Sequence, residues 1–184
     1  MRPSKPENED EDPAAALKRL RLTALRALTR KEHGAMELQR KLEQKGFPSG
    51  QVSQVLAVLR QEGLLDDNRY AESFVRQHVL RGQGPARIRA ELRIHGLSAE
   101  AVHEALSGAD VNWTQLAREV RRKRFGAAPP RTGAERAKQG RFLQYRGFDS
   151  DQIRAAFRGV SDSDEAADRA DEQDEACDPR DLEA

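Results

Sequence analysis

The chain has a single cysteine, Cys177, among 184 residues, so neither a disulfide framework nor a cysteine-based metal site is available. Aromatic residues make up 5% of the sequence, and no window approaches the ~20 apolar residues that a membrane span requires. The opening Met1-Arg2-Pro3-Ser4-Lys5-Pro6-Glu7 lacks the apolar run of a secretory signal, so a cytoplasmic location is expected. His33, His78, His95 and His103 are scattered with no i, i+4 pair, which argues against metal binding. Gly82-Gln83-Gly84-Pro85 has no Gly-Lys-Ser/Thr after it and no strand pattern before it, so it reads as a helix connection rather than a phosphate cradle. No nucleophile or carboxylate pair stands in a recognisable catalytic setting. No enzymatic activity, cofactor or metal is expected.

What is abundant is charge, at 34% of residues, and it is segregated. Residues 1–13 carry 2 basic and 5 acidic groups, net −3, and residues 160–184 carry 2 basic and 11 acidic, net −9. Residues 14–159 carry 28 basic and 15 acidic, net +13. A basic body between acidic tails suits a polyanionic partner, although a solvated cationic surface has the same composition. The tails have too few large apolar residues to fold alone, so both are expected to be disordered. The C-terminal one is expected to compete with nucleic acid for the basic surface.

The organising feature is a repeat with a period near fifty. Leu42-Glu43-Gln44-Lys45-Gly46-Phe47, Leu92-Arg93-Ile94-His95-Gly96-Leu97 and Leu143-Gln144-Tyr145-Arg146-Gly147-Phe148 align without gaps, at spacings of 50 and 51 residues. Val52, Val102 and Ile153 stand six positions after the glycines, followed in helical phase by Val55-Leu56, Ala105-Leu106 and Ala156-Phe157. Each unit therefore predicts a helix closed by glycine, a short turn and a second helix. Ser98 and Asp149 are suited to cap the second helix; in the first unit Pro48 takes that place and Ser49 is the expected cap. Asp149 with Gln152 has capping-box spacing. Upstream amphipathic segments at Leu17-Leu20-Ala24-Leu25-Leu28, Tyr70-Phe74-Val75-Val79 and Trp113-Leu116-Ala117-Val120 add a third helix to each unit.

The expected architecture is all-α: an elongated, curved array of three tandem three-helix repeats at 14–65, 66–108 and 109–159, with tails at 1–13 and 160–184. Units this small gain their stability by stacking. A monomer is expected.

Candidate binding residues follow from charge. Arg121-Arg122-Lys123-Arg124 surrounds most of a helix circumference before the helix-breaking Gly126–Gly133 stretch, which places the cations for phosphate contact; cations at a helix C-terminus are the plainer reading. Arg89 and Arg93 form a stripe one position round from the inward-facing Ile88 and Leu92. Arg69, Arg76, Lys138, Arg141 and Arg146 complete the set.

The run Leu65-Asp66-Asp67-Asn68-Arg69-Tyr70-Ala71-Glu72-Ser73-Phe74-Val75-Arg76, with Gly82, Gly84, Arg87-Ile88, Glu91-Leu92 and Gly96-Leu97, resembles the RecX family. Thr29-Arg30-Lys31-Glu32-His33, Glu37-Leu38 and Gly46-Phe47 extend the likeness into the first unit, and Arg141-Phe142-Leu143 with Arg146-Gly147-Phe148 into the third. It covers about residues 15–159 and excludes both tails. The resemblance implies a non-catalytic bacterial regulator of recombination, repair and the SOS response. Its partner would be the RecA recombinase, chiefly as a filament on single-stranded DNA, whose ATPase, strand-exchange and coprotease activities it restrains. Weak direct DNA binding is also implied. A helical DNA-binding factor of transcriptional or architectural type is the alternative; against it, Ser98-Ala99-Glu100-Ala101-Val102-His103-Glu104 is apolar and acidic where a recognition helix would be polar and basic.

Overall fold

A computed structural model describes residues 12–158. Expectations for the tails fall outside the described residues, except that Asp12 and Pro13 open the first helix rather than belonging to a tail. Pro13 is the first helical residue, where its missing N–H is no loss, and the Asp12 carboxylate accepts from the N–H of Ala14 at 3.1 Å.

Among the described residues there are nine α-helices and no strand. They are α1 (Pro13–Leu28), α2 (Ala35–Glu43), α3 (Ser49–Gln61), α4 (Asp67–Leu80), α5 (Pro85–Ile94), α6 (Ala99–Ser107), α7 (Trp113–Phe125), α8 (Gly133–Tyr145) and α9 (Ser150–Arg158). The repeat accounts for the three closures at α2, α5 and α8. Gly46, Gly96 and Gly147 have φ of 89°, 83° and 93°, a region costly for any residue with a Cβ. Each following residue donates back to a leucine carbonyl five positions earlier: Phe47 to Leu42, Leu97 to Leu92, Phe148 to Leu143. These bonds satisfy carbonyls the helix leaves open.

The N-termini follow side-chain chemistry. Ser98 accepts from Ala101 N–H, and Asp149 and Gln152 bond reciprocally at 2.8 and 3.1 Å as a capping box. Asp66 accepts from the N–H groups of Asn68 and Arg69 and opens α4. At α3 the expectation fails: Ser49 is already helical, and the N-cap is Pro48 in extended conformation with no side-chain acceptor. Proline's fixed φ ends the preceding turn without an acceptor.

The described chain forms two compact units. One runs to Val75 and adds Glu91–Gly108; the other takes Arg76–Ala90 and everything from Ala109 onward. Helices α4 and α5 thus contribute one end to each. In the first unit Leu20, Leu38, Leu42, Val52 and Leu59 are fully buried where α1, α2 and α3 pack together. Each such leucine contributes about 1.5–3 kcal/mol of burial. In the second unit α7 packs on α9 and α8 against both, around Ala117, Leu143, Phe148 and Ala156. Phe125 meets Phe142 edge to face at 5.2 Å between centroids.

Candidate functional site

The two units divide the basic charge unequally. The described residues of the first hold 12 basic and 11 acidic side chains, those of the second 16 basic and 5 acidic. Of the eleven cations singled out in the sequence, only Arg69 and Arg93 belong to the first unit.

Arg69 is tied down. Its Nε donates to Glu32 at 2.6 Å, and its terminal nitrogens reach the carbonyls of Gly63 and Leu64. Its hydrogen bond to the Glu32 carboxylate raises its pKa above the ordinary arginine value. It clamps the turn before α4 to the segment before α2. On α5, Ile88 and Leu92 are buried while Arg89 and Arg93 are exposed, as their spacing requires. Arg76 is exposed on α4.

Arg121 is a correction. It is 2% exposed, and its guanidinium donates to the carbonyls of Ala127 and Ala128 and to Gln139 Oε1 at 3.1–3.2 Å. It lies one turn after the fully buried Ala117, so it faces inward, and burial lowers its pKa. Its chemistry is to satisfy the carbonyls of the α7–α8 loop, which no helix serves. It is therefore closed to phosphate contact, while Arg122, Lys123 and Arg124 are exposed around it.

Lys123, Arg124 and Arg146 are brought together in the second unit, lining a groove of about 420 Å³ with Arg81, Leu80 and Phe142. Leu80, the last residue of α4, is 88% exposed. Arg146 is fixed in the groove wall: Nη1 donates to the Arg81 carbonyl at 2.7 Å, and the guanidinium lies 5.2 Å from the Phe142 ring centre. One carboxylate, Glu119, shares the lining. A second groove, of about 540 Å³, runs between α8 and α9 and carries Arg136, Arg141 and Arg154, with the Arg136 guanidinium 4.9 Å from the Phe157 ring centre. Lys138 and Arg141 are exposed on α8. Charge counting along the chain missed Leu80 and Arg81, because their role comes from the end of α4 lying beside α7 and α8.

The same architecture is found in known proteins. The RecX first three-helix domain matches residues 21–59, the second 66–106 and the third 112–157. Regulatory protein RecX of Halorhodospira halophila is 48% identical over 151 residues, covering 82% of this chain and 94% of its own. The chain belongs to the RecX family. Regulatory protein RecX of Pseudomonas syringae pv. tomato is 44% identical over 145 residues, covering 79% and 94% of the two chains. Among solved structures, RecX from Lactobacillus salivarius superposes with a TM-score of 0.68 at 21% identity, covering 80% of this chain and 98% of that one. A second RecX crystal structure gives 0.63 at 24% identity. At those identities the likeness speaks for the fold. RecX relatives are named regulatory proteins, and no helix among the described residues is long and apolar enough to cross a membrane.

Proposed function

We propose that this protein is a non-catalytic regulator that binds the RecA recombinase, chiefly as its filament on single-stranded DNA, and restrains ATP hydrolysis, strand exchange and repressor cleavage. The observation that carries the reading is the charge of the second unit, 16 basic against 5 acidic residues, with Arg81, Lys123, Arg124 and Arg146 lining a groove where Leu80 is left in water. A nucleoprotein filament offers what such a surface needs: a polyanion for long-range attraction and a protein wall for apolar contact. Lys123, Arg124 and Arg146 supply the attraction; Leu80 supplies a desolvated anchor. Arg89, Arg122, Lys138 and Arg141 extend the field, which also gives weak direct binding to DNA.

The test is titration into a recombinase ATPase assay on single-stranded DNA, with the wild type and Leu80→Asp compared. The wild type lowers the hydrolysis rate. Leu80→Asp needs at least tenfold more protein for the same effect while keeping its helicity, since an 88% exposed side chain supports no core. Equal potency of the two would remove the groove from the reading, and no inhibition by the wild type would end it.

A further inference from the structure

Of the large apolar side chains that the described residues expose, Tyr145 is the aromatic one, at 78% exposure. Five others are aliphatic. It closes α8, where Lys138, Arg141 and Tyr145 recur at i, i+3 and i+7 and so share one helix face, all three open to solvent. The opposite face holds Leu143 and Gln139, both buried. Tyr145 lines neither groove of the second unit. Its ring stands on the crest of α8.

The ring is nevertheless held. The Arg87 guanidinium lies 5.5 Å from its centre, and the backbone just before Arg87 is tied to the end of α8. Gly84 N–H donates to the Arg146 carbonyl at 2.8 Å and Ala86 N–H to the Gly147 carbonyl at 3.1 Å, so the start of α5 and the end of α8 form one rigid junction. Contact there is close enough that a Cβ on Gly147 would come 2.3 Å from that of Arg87. An aromatic ring and a cation are thus set side by side before any ligand arrives, which lowers the ordering cost of binding.

We propose that Tyr145 is a stacking platform for an unpaired nucleobase of single-stranded DNA, with Arg87, Arg141 and Lys138 meeting the flanking phosphates. A ring with an open face stacks on any base irrespective of sequence, and adjacent cations follow the backbone. Duplex DNA keeps its bases stacked and cannot use the ring. A protein partner is served better by an enclosing pocket than by a convex crest. Within α8 itself the one carboxylate is Glu135, in the first turn. The inference builds on the direct DNA binding proposed above and is independent of the recombinase.

The full chain is therefore tested without recombinase, at low salt, against a fluorescent oligothymidylate and a duplex of equal length. Tyr145→Leu weakens single-strand binding about tenfold, Tyr145→Phe stays within about twofold of wild type, and duplex binding is unchanged by either. A 5-iodouracil oligonucleotide, irradiated and digested with trypsin, leaves its adduct on the peptide Phe142–Arg146. The inference is overturned if Tyr145→Leu binds the single strand like wild type, if it loses duplex binding equally, or if adducts form only elsewhere. Running the same variants in the recombinase ATPase assay separates the two readings. Lost inhibition with intact single-strand binding would make Tyr145 a protein contact and refute its role with bases.

Discussion

Gly84 and Gly147 meet backbone to backbone: a Cβ added to Gly84 would lie 2.4 Å from both the carbonyl carbon and oxygen of Gly147. Three glycines consequently matter for different reasons. At Gly46 the left-handed φ is the whole constraint, since nothing lies within 4 Å of a Cβ there. At Gly84 the constraint is space, and at Gly147 it is both. Gly46→Ala is expected to cost roughly 1–2 kcal/mol of strain, and Gly147→Ala roughly 2–5 kcal/mol once crowding is included. Urea unfolding checks the order. Equal midpoints for the two variants would show that the junction relaxes at no cost.

The four consecutive cations of α7 separate by role. Arg121→Met leaves two loop carbonyls and Gln139 without their donor and is expected to cost about 2–3 kcal/mol. Reversing charge at Arg122 and Arg124, both exposed, leaves thermal stability near wild type and weakens filament binding. That loss shrinks at 1 M salt, where the Debye length is ~3 Å. A stable Arg121→Met, or salt-independent loss at Arg122 and Arg124, contradicts the division.

Local signals made the helices readable. A glycine, a capping residue and one apolar face are all encoded within about fifteen residues, so the Gly46, Gly96 and Gly147 closures and the Asp149–Gln152 box could be placed from spacing alone. The inward turn of Arg121 was hidden because arginine is read as solvent-seeking, whereas its partners are loop carbonyls whose positions no pattern states. The uneven charge of the two units was hidden for a related reason. Arg76–Ala90 and the residues from Ala109 onward are separate in sequence, and no window sums them. The repeat places Tyr145 before its closing glycine but says nothing of its exposure, which at a helix end depends on what packs beside it.

The first unit carries an acid-sensitive histidine. His33 is 1% exposed; its Nδ1 faces the Lys31 carbonyl at 2.9 Å and its Nε2 the Lys41 ammonium at 3.2 Å. A carbonyl only accepts and an ammonium only donates, so the ring is neutral with its proton on Nδ1. Desolvation lowers its pKa below the usual 6.5, outweighing Glu37, whose carboxylate lies 3.8 Å away and also faces Tyr70 and His95. The unfolded chain then binds this proton more readily than the folded one. Stability attributable to His33 is full above pH 6.5 and declines as pH falls below it, toward the lowered folded value. His33→Gln should flatten the fall in urea midpoint between pH 7.5 and 5.5. An unchanged slope would assign the dependence to other groups.

The acidic stretch from Ser161 to Ala184 is tethered after α9, a helix of the strongly basic unit. Tethering gives it a high effective concentration against that surface, so it is expected to compete with nucleic acid. Removing residues 161–184 should tighten binding to bare single-stranded DNA at low salt, with a smaller gain on the filament. Identical binding of truncated and full-length chains across a salt series would make the stretch a spectator.

Because the basic unit draws on two stretches of chain, no single contiguous fragment excises it without carrying part of its neighbour. A fragment beginning at Ala109 would contain α7, α8 and α9 yet lack Arg87 and the N–H groups of Gly84 and Ala86 that meet the Arg146 and Gly147 carbonyls. Conversely, a proteolytic nick in the turn at Gly96 would leave the unit as a noncovalent association of two peptides, joined in part by those same hydrogen bonds. Its reassembly would then depend on concentration, as any bimolecular association does.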